Sequence, residues 1–455
     1  MVAVNGAYLL TVLIALLPTA AAQQTYTPCF ANDLSIFDDY NESEIIIPAN
    51  CTTVEISNLR MPNHLAGSLA KALKANVAVN TLLLRDIEVA DDGVVFFANA
   101  LKTNTAITNF SLGFERYNEG IGDAAVASFA EAIKVNTALT SFALTRSGGR
   151  TNSSVKVGIS DNGMVLLSQA LISNAAITEL NLESNGISDA GAASLAGVLK
   201  VNGAIARLHL GNNLIRSAGA TAIADAIAAN NNTAIALLSL GEGESTLAIK
   251  YVSEGNIIGD TGAAALAKAL GNNTVLAEIN LNYNNIGDVG AAALAEAISA
   301  NSALTHIGLY GNKIGDVGAA AFAEAIALNA TLGFYAGGPQ SGAITSLDLG
   351  RNRISNAGAA LLAQALTANT NITSLRLQYN RLTFDSSDLI SSGWLSAIEH
   401  PLNNTPAARV SACDGVAVGT TTDTCPYCCH CCHCDGPAMI VGPVCNAAYE
   451  GMFVY

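Results

Sequence analysis

The chain has 455 residues, a formal net charge of −15, and is 51% hydrophobic but only 5% aromatic. A chain this long exceeds what one compact core usually serves, so several domains or a repeat array is expected, built on small apolar residues rather than rings. The acidic balance, with no Lys/Arg-rich run, argues against nucleic acid and against an anionic membrane surface as partners.

The chain begins with an apolar run, Ala7 to Leu17, followed by Pro18, the small residues Thr19 to Ala22, and Gln23. This reads as a secretory signal peptide (residues 1–22) cut after Ala22, although no Lys or Arg precedes the run. The run is shorter than the roughly 20 residues a spanning helix needs, so no membrane span is expected after cleavage. Nine N-x-S/T sequons fit an exported, secreted or cell-wall protein: Asn41, Asn50, Asn109, Asn152, Asn231, Asn272, Asn329, Asn371 and Asn403. Four of them, Asn231, Asn272, Asn329 and Asn371, are expected at one common point between helix and next strand. Residues 23–50 read as an N-terminal cap, with Cys29 and Cys51 placed to close a disulfide there.

From residue 51 to about 400 the chain repeats. ITELNLESNGISDAGAASLAGVLKVNGA (177–204) returns as LAEINLNYNNIGDVGAAALAEAISANSA (276–303) and ITSLDLGRNRISNAGAALLAQALTANTN (344–371). Relatives begin at Ile107, Leu139, Ile205, Ile235, Leu304 and Ile372, and weaker ones cover 51–79 and 80–106, giving about eleven units. Leu180 and Leu182 alternate with polar neighbours, which is strand periodicity. Asn185, Asn213, Asn284, Asn312, Asn352 and Asn380 recur three residues after the second Leu, where stacked amides can bond the following turn. Asp189, Asp260, Asp288 and Asp316, with Asn356, occupy the expected helix N-cap. Gly191, Gly262, Gly290, Gly318 and Gly358 then open an Ala/Leu stripe at helical spacing. The helix closes on Asn202, Asn301, Asn329 or Asn369, expected as left-handed C-caps.

The phased pattern resembles the ribonuclease-inhibitor-like class of leucine-rich repeats, LxxLxLxxNxIxxxG followed by a full helix. The resemblance implies an α/β solenoid, a horseshoe with a parallel sheet on the concave face and helices on the convex face. Spacing argues the same way: strands stack at about 4.8 Å but helices at about 8–10 Å, so an in-register stack must curve. Insertions at 113–119, 145–157, 241–254 and 333–342 read as loops, either binding elements or tolerated drift.

The residues expected on the concave face as a partner-binding set are Arg207, His209, Glu278, Asn280, Asn282, Tyr283, His306, Tyr310, Asp348, Arg351, Arg376, Gln378 and Tyr379. Tyr and Arg are enriched where proteins recognise each other, and an ordinary polar sheet surface is the alternative. Glu179 and Glu183 face the same side and read as a solvated acidic surface. A glycan on Asn109 would cover the N-terminal half of the face.

The repeat decays after Trp394 into a tail, residues 401–455, that carries Cys413, Cys425, Cys428, Cys429, Cys431, Cys432, Cys434 and Cys445. With ten cysteines in all, the count suits a disulfide framework. The run CPYCCHCCHCDG, with His430 and His433, leaves zinc binding open as an alternative. No nucleophile elbow, phosphate loop or metalloprotease helix is present, so no catalytic residue and no cofactor is expected. The expected function is a secreted binding protein for a protein or glycan partner. The alternatives are a wall or matrix component cross-linked through the tail, and a regulator of an enzyme or GTPase, as in intracellular relatives of the repeat class.

Overall fold

A computed structural model describes the backbone of residues 28–30 and then residues 45–114, 121–146, 158–229, 234–242, 256–332, 344–369 and 371–383, with side chains to 328 in the sixth of these segments. The leader, the tail cysteines and the centres of the insertions lie outside these residues. The chain folds as two units, 1–256 and 257–455.

The first unit alternates strand and helix. It runs β1 (Pro28–Phe30), β2 (Thr53–Ser57), α1 (Asn63–Ala75), β3 (Thr81–Ile87), α2 (Asp91–Leu101), β4 (Asn109–Phe114) and α3 (Asp123–Val135). It continues through β5 (Ser141–Arg146), α4 (Asp161–Leu171), β6 (Glu179–Asn181), α5 (Asp189–Leu199), β7 (Arg207–His209), α6 (Ser217–Ala229) and β8 (Leu237–Ser239). Each strand pairs in parallel with the one before it. The register is that of the repeat: Glu179 lies opposite Arg207, Leu180 opposite Leu208, Asn181 opposite His209. The Leu pair of each repeat is buried, as in Leu180 and Leu182, while the alternate residues stay open on the strand face. Phe110, Phe129 and Phe142 interlock in the core, with ring centroids 5.4–5.8 Å apart.

The second unit repeats the design with α7 (Gly259–Leu270), β9 (Glu278–Asn280), α8 (Asp288–Ala300), β10 (His306–Gly308), α9 (Asp316–Leu332), β11 (Ser346–Asp348), α10 (Asn356–Leu366) and β12 (Ser374–Arg376). β9 to β12 are parallel and in register. Each unit is thus an α/β repeat stack, held by side chains that bond from one repeat to the next.

Three such ladders recur in both units. The post-strand Asn donates to its own repeat and to the one before. Asn213 Nδ2 reaches Leu182 O (2.9 Å) and Leu210 O (3.0 Å), and Asn312 Nδ2 reaches Leu281 O (3.0 Å) and Leu309 O (2.9 Å). The Oδ1 atoms accept from Ile187 N and Ile286 N respectively. These amides are buried and fully used, which is the condition for a polar group to sit in a core.

The second ladder corrects the expected helix starts. Asp189, Asp260, Asp288 and Asp316 are not the N-caps of their own helices. Ser188 and Gly287 hold the cap positions of α5 and α8, and Ser355, not Asn356, that of α10. Each Asp instead accepts backbone N–H from the start of the next helix. Asp189 Oδ1 takes Arg216 N (2.7 Å) and Gly219 N (2.8 Å), and Asp288 Oδ1 takes Gly315 N (2.7 Å) and Gly318 N (2.9 Å). A carboxylate there meets both orphan donors and the positive end of the helix. It also explains one glycine of the repeat. A Cβ on Gly290 would stand 2.8 Å from Asp260 Oδ1 and 2.8 Å from Ile286 Cγ2.

The third ladder corrects the expected left-handed helix ends. Asn136 and Asn301 are extended, at φ −81° and −86°. Their amides donate backwards, Asn301 to Leu270 O (2.6 Å) and Asn273 O (2.8 Å), and accept from Ala303 N and Leu304 N ahead. α9 runs past Asn329 to Leu332, so that residue does not end its helix. The sequons do not share one point either. Asn272 precedes the ladder residue Asn273, whereas Asn371 follows Asn369.

Candidate binding surface

In the first unit the strand face carries charges that are already matched. Arg207 on β7 donates to Glu179 on β6 at 3.0 Å, in the directly opposed register. That bond holds the Glu179 carboxyl below its usual range. Arg85 and Glu55 pair at 3.4 Å, and Arg60 and Glu88 at 3.2 Å. His209 stands between two carboxylates, Nε2 3.7 Å from Glu179 and Nδ1 3.9 Å from Glu183. Attraction to Glu179 would raise its pKa, but burial outweighs it and holds the imidazole below its usual value, and Arg207 adds to that depression. Burial likewise pushes the Glu183 carboxyl up. His209 Nε2 is buried without a hydrogen-bond partner. Of the expected binding residues only Arg207 and His209 belong to this unit. Asn109 lies at the start of β4 opposite Thr81 and Ser141, half-buried.

The second unit gathers the rest. Reading across repeats, the residues at the strand start are Glu278, His306, Ser346 and Ser374, and mid-face are Asn280, Gly308, Asp348 and Arg376. Asp348 and Arg376 approach to 3.5 Å. Just beyond the strands, Tyr283 and Tyr310 meet edge to face at 5.4 Å between centroids, and Tyr310 meets Tyr379 at 6.5 Å. Arg351 Nη1 donates to the Tyr283 hydroxyl at 3.1 Å, and its guanidinium lies 5.5 Å from that ring's centroid. Burial pushes the Tyr310 hydroxyl far above its usual pKa, so it stays protonated. Asn282 is buried and accepts from Tyr310 N at 2.9 Å, making it a support rather than a contact residue. Gln378 has a buried Oε1 without a hydrogen-bond partner.

Two glycines make the cluster possible, and sequence reasoning passed over them. A Cβ on Gly311 would stand 2.5 Å from the Tyr283 ring, and one on Gly350 2.7 Å from the Tyr310 ring. Each ring therefore lies across a gap left by the next repeat. The available signal was a glycine at post-strand positions that other repeats fill with Asn, Ser, Tyr or Gln.

Tyr283, Arg351 and Tyr379 are held at φ 57°, 51° and 62°. The equivalent positions in other repeats hold Ser184, Asn212 and Gly311, of which Asn and Gly tolerate this backbone well. Bulky side chains there cost on the order of 1 kcal/mol each.

Cys51 is buried and disulfide-bonded. Among the described residues, no group of three or more His, Cys, Asp or Glu could hold a metal ion, and no helix is long and apolar enough to cross a membrane. The tail cysteines Cys413 to Cys445 and sequons Asn41, Asn152, Asn231 and Asn403 lie outside the described residues.

The family described as Leucine Rich repeat matches residues 173–196, 272–295, 300–323 and 344–363. No curated protein matches the chain. Among solved structures, an internalin from Listeria monocytogenes is 17% identical, covering 75% of this chain and 85% of its own, at a TM-score of 0.37. The actin-binding site 2 of leiomodin-1 is 17% identical over 42% of this chain and 92% of its own, at 0.27. A tropomodulin C-terminal domain from Caenorhabditis elegans is 14% identical over 34% and 89%, at 0.25.

Proposed function

We propose that this leucine-rich-repeat protein is a secreted binding module that recognises a protein or glycan partner through its strand face, centred on Tyr283, Tyr310, Arg351 and Tyr379. The full helices between strands support the ribonuclease-inhibitor-like subclass. The observation that carries the reading is that cluster: three Tyr and one Arg held together on the open side of the repeats at a backbone cost. Tyr and Arg are the residues that most often dominate interface energetics, and pre-ordered side chains lose little entropy on docking. Glu278, His306, Asp348 and Arg376 would frame the contact as a polar rim. Export is supported by the leader and by a buried, disulfide-bonded Cys51. Cys29 is its natural partner, because β1 pairs beside β2 with Cys29 opposite Val54. Affinity capture from the producing culture, with the wild-type chain and with Tyr310→Ala/Tyr379→Ala, tests the reading. A specific partner held by the wild type and lost by the variant supports it, and equal capture by both overturns the assigned surface.

A further inference from the structure

The last described repeats, which carry Arg351 and Tyr379 of the cluster, reverse the charge of the chain. Residues 344–383 hold Arg351, Arg353, Arg376 and Arg381 against Asp348 alone, in a protein of net charge −15. Three of the basic residues of this unit share one position. Lys313, Arg353 and Arg381 each occupy the site between the ladder Asn and the following apolar residue. Each donates its backbone N–H to the matching residue one repeat earlier: Lys313 to Ile286 O (2.7 Å), Arg353 to Ile314 O (2.7 Å) and Arg381 to Ile354 O (2.9 Å). The identical bond fixes them in register, so they form a column along the stacking direction. All three are exposed. None makes an ion pair among the described residues. Two carboxylates of the same unit, Asp288 and Asp316, are engaged with the N–H groups of α9 and α10. The same position in the first unit holds Arg60 and Glu88, which pair with each other, and then the uncharged Gly158, Gly186 and Leu214.

Like charges stacked one repeat apart repel and give the folded chain nothing by themselves. A partner bearing a line of negative charge relieves that repulsion and releases its own counterions. We infer that the column of Lys313, Arg353 and Arg381, continued by Arg351, binds an anionic polysaccharide carrying carboxylates or sulfates. The inference rests on the strand-side binding role above and names its ligand class. A polysaccharide fits better than an acidic peptide because the surface beside the column suits a sugar: Tyr379 is 62% exposed, and Gln378 Oε1 gains a partner if its amide turns toward a hydroxyl donor.

Full-length protein is passed at low and high salt over immobilised polygalacturonate, dextran sulfate, neutral dextran and poly-L-glutamate. The inference expects retention on one or both anionic polysaccharides, release by salt, and no retention on dextran. K313A/R353A/R381A should lose at least about tenfold in affinity, since the attraction is a sum of screened charges. Arg60→Ala/Arg85→Ala, whose cations are already paired, should bind like the wild type, and unchanged circular dichroism should show that both variants fold. Equal retention of the triple variant, or tighter binding to poly-L-glutamate than to either polysaccharide, overturns the inference. Absence of polysaccharide binding while a protein partner is still captured through Tyr310 and Tyr379 also overturns it and leaves the binding role intact. Loss of both would defeat the two readings together.

Discussion

The two units are built on the same ladders yet treat their open faces differently. In the first, the cations Arg60, Arg85 and Arg207 each have a carboxylate in the neighbouring repeat. In the second, Arg376 is matched by Asp348 in the same way, but Arg351 bonds a tyrosine hydroxyl, and Lys313, Arg353 and Arg381 meet no carboxylate among the described residues. Side chains that satisfy one another leave little to offer a partner, whereas an ordered cation without a counterion has its strongest interaction still to make. Scaffold and the proposed binding surface thus separate by repeat position: the Asn and Asp ladders hold the stack, and the post-strand positions vary.

Removing a rung of the scaffold should have the largest effect, and the same effect in both units. Asn213→Ala orphans Ile187 N and removes one of the two amide donors to Leu182 O and to Leu210 O, and Asn312→Ala orphans Ile286 N and removes one of the two to Leu309 O. Each should cost about 3 kcal/mol or more in chemical denaturation. A large difference between the two would show that the ladders are not equivalent.

Glycine substitutions should split the units. A Cβ on Gly211 runs into the backbone oxygen of Gly241, which cannot step aside, while one on Gly350 meets the Tyr310 ring, which can. Gly211→Ala should cost about 2–3 kcal/mol, and Gly350→Ala about 1 kcal/mol or less. Only the second should weaken partner capture, because it displaces a ring of the cluster.

Two pH responses are expected of the first unit. Burial makes His209 hold its proton more weakly folded than unfolded, so its contribution to stability is whole above about pH 6.5 and declines as pH falls below that. His209→Gln should flatten melting temperature over that window. Glu183 holds its proton more tightly folded, so its contribution is present below about pH 4.5 and lost as pH rises. Glu183→Gln should therefore raise the melting temperature at pH 7 and leave it unchanged at pH 4.

The smallest stability change should come with a clear loss of function. Tyr379→Asn suits φ 62° better than tyrosine, so stability should hold or rise by under about 1 kcal/mol. Partner capture should fall. A destabilised variant with intact binding would mean that Tyr379 serves the fold.

Much of this fold was legible because its repeats are in phase. Leu180 and Leu182 announced a strand, Asn213 its turn, and the Gly–Ala stripe after Asp189 a helix. What misled was the partner of each side chain. Asp189 stands at the start of a helix, so its own N–H groups looked like its targets. Its acceptor is used by Gly219, in the next repeat. Asn301 was misread for the same reason: its amide bonds Leu270 and Asn273 behind it. A single repeat contains neither bond, so spacing alone could not assign them. The tyrosine cluster was partly legible, since Tyr283, Tyr310 and Tyr379 stand at open positions. The gaps at Gly311 and Gly350 that seat two of these rings depend on packing between repeats. The basic column was in the aligned sequence, at one offset in three successive repeats, but that offset lies beyond the strand where binding residues were sought.

The contrast between a matched and an unmatched face is tested most directly by arginine-directed labelling of the full chain with and without its bound partner. Protection on binding should fall on Arg351, Arg353 and Arg381, with Arg60, Arg85 and Arg207 labelled as before. Protection of Arg60, Arg85 and Arg207, with the second-unit arginines unchanged, would contradict the account.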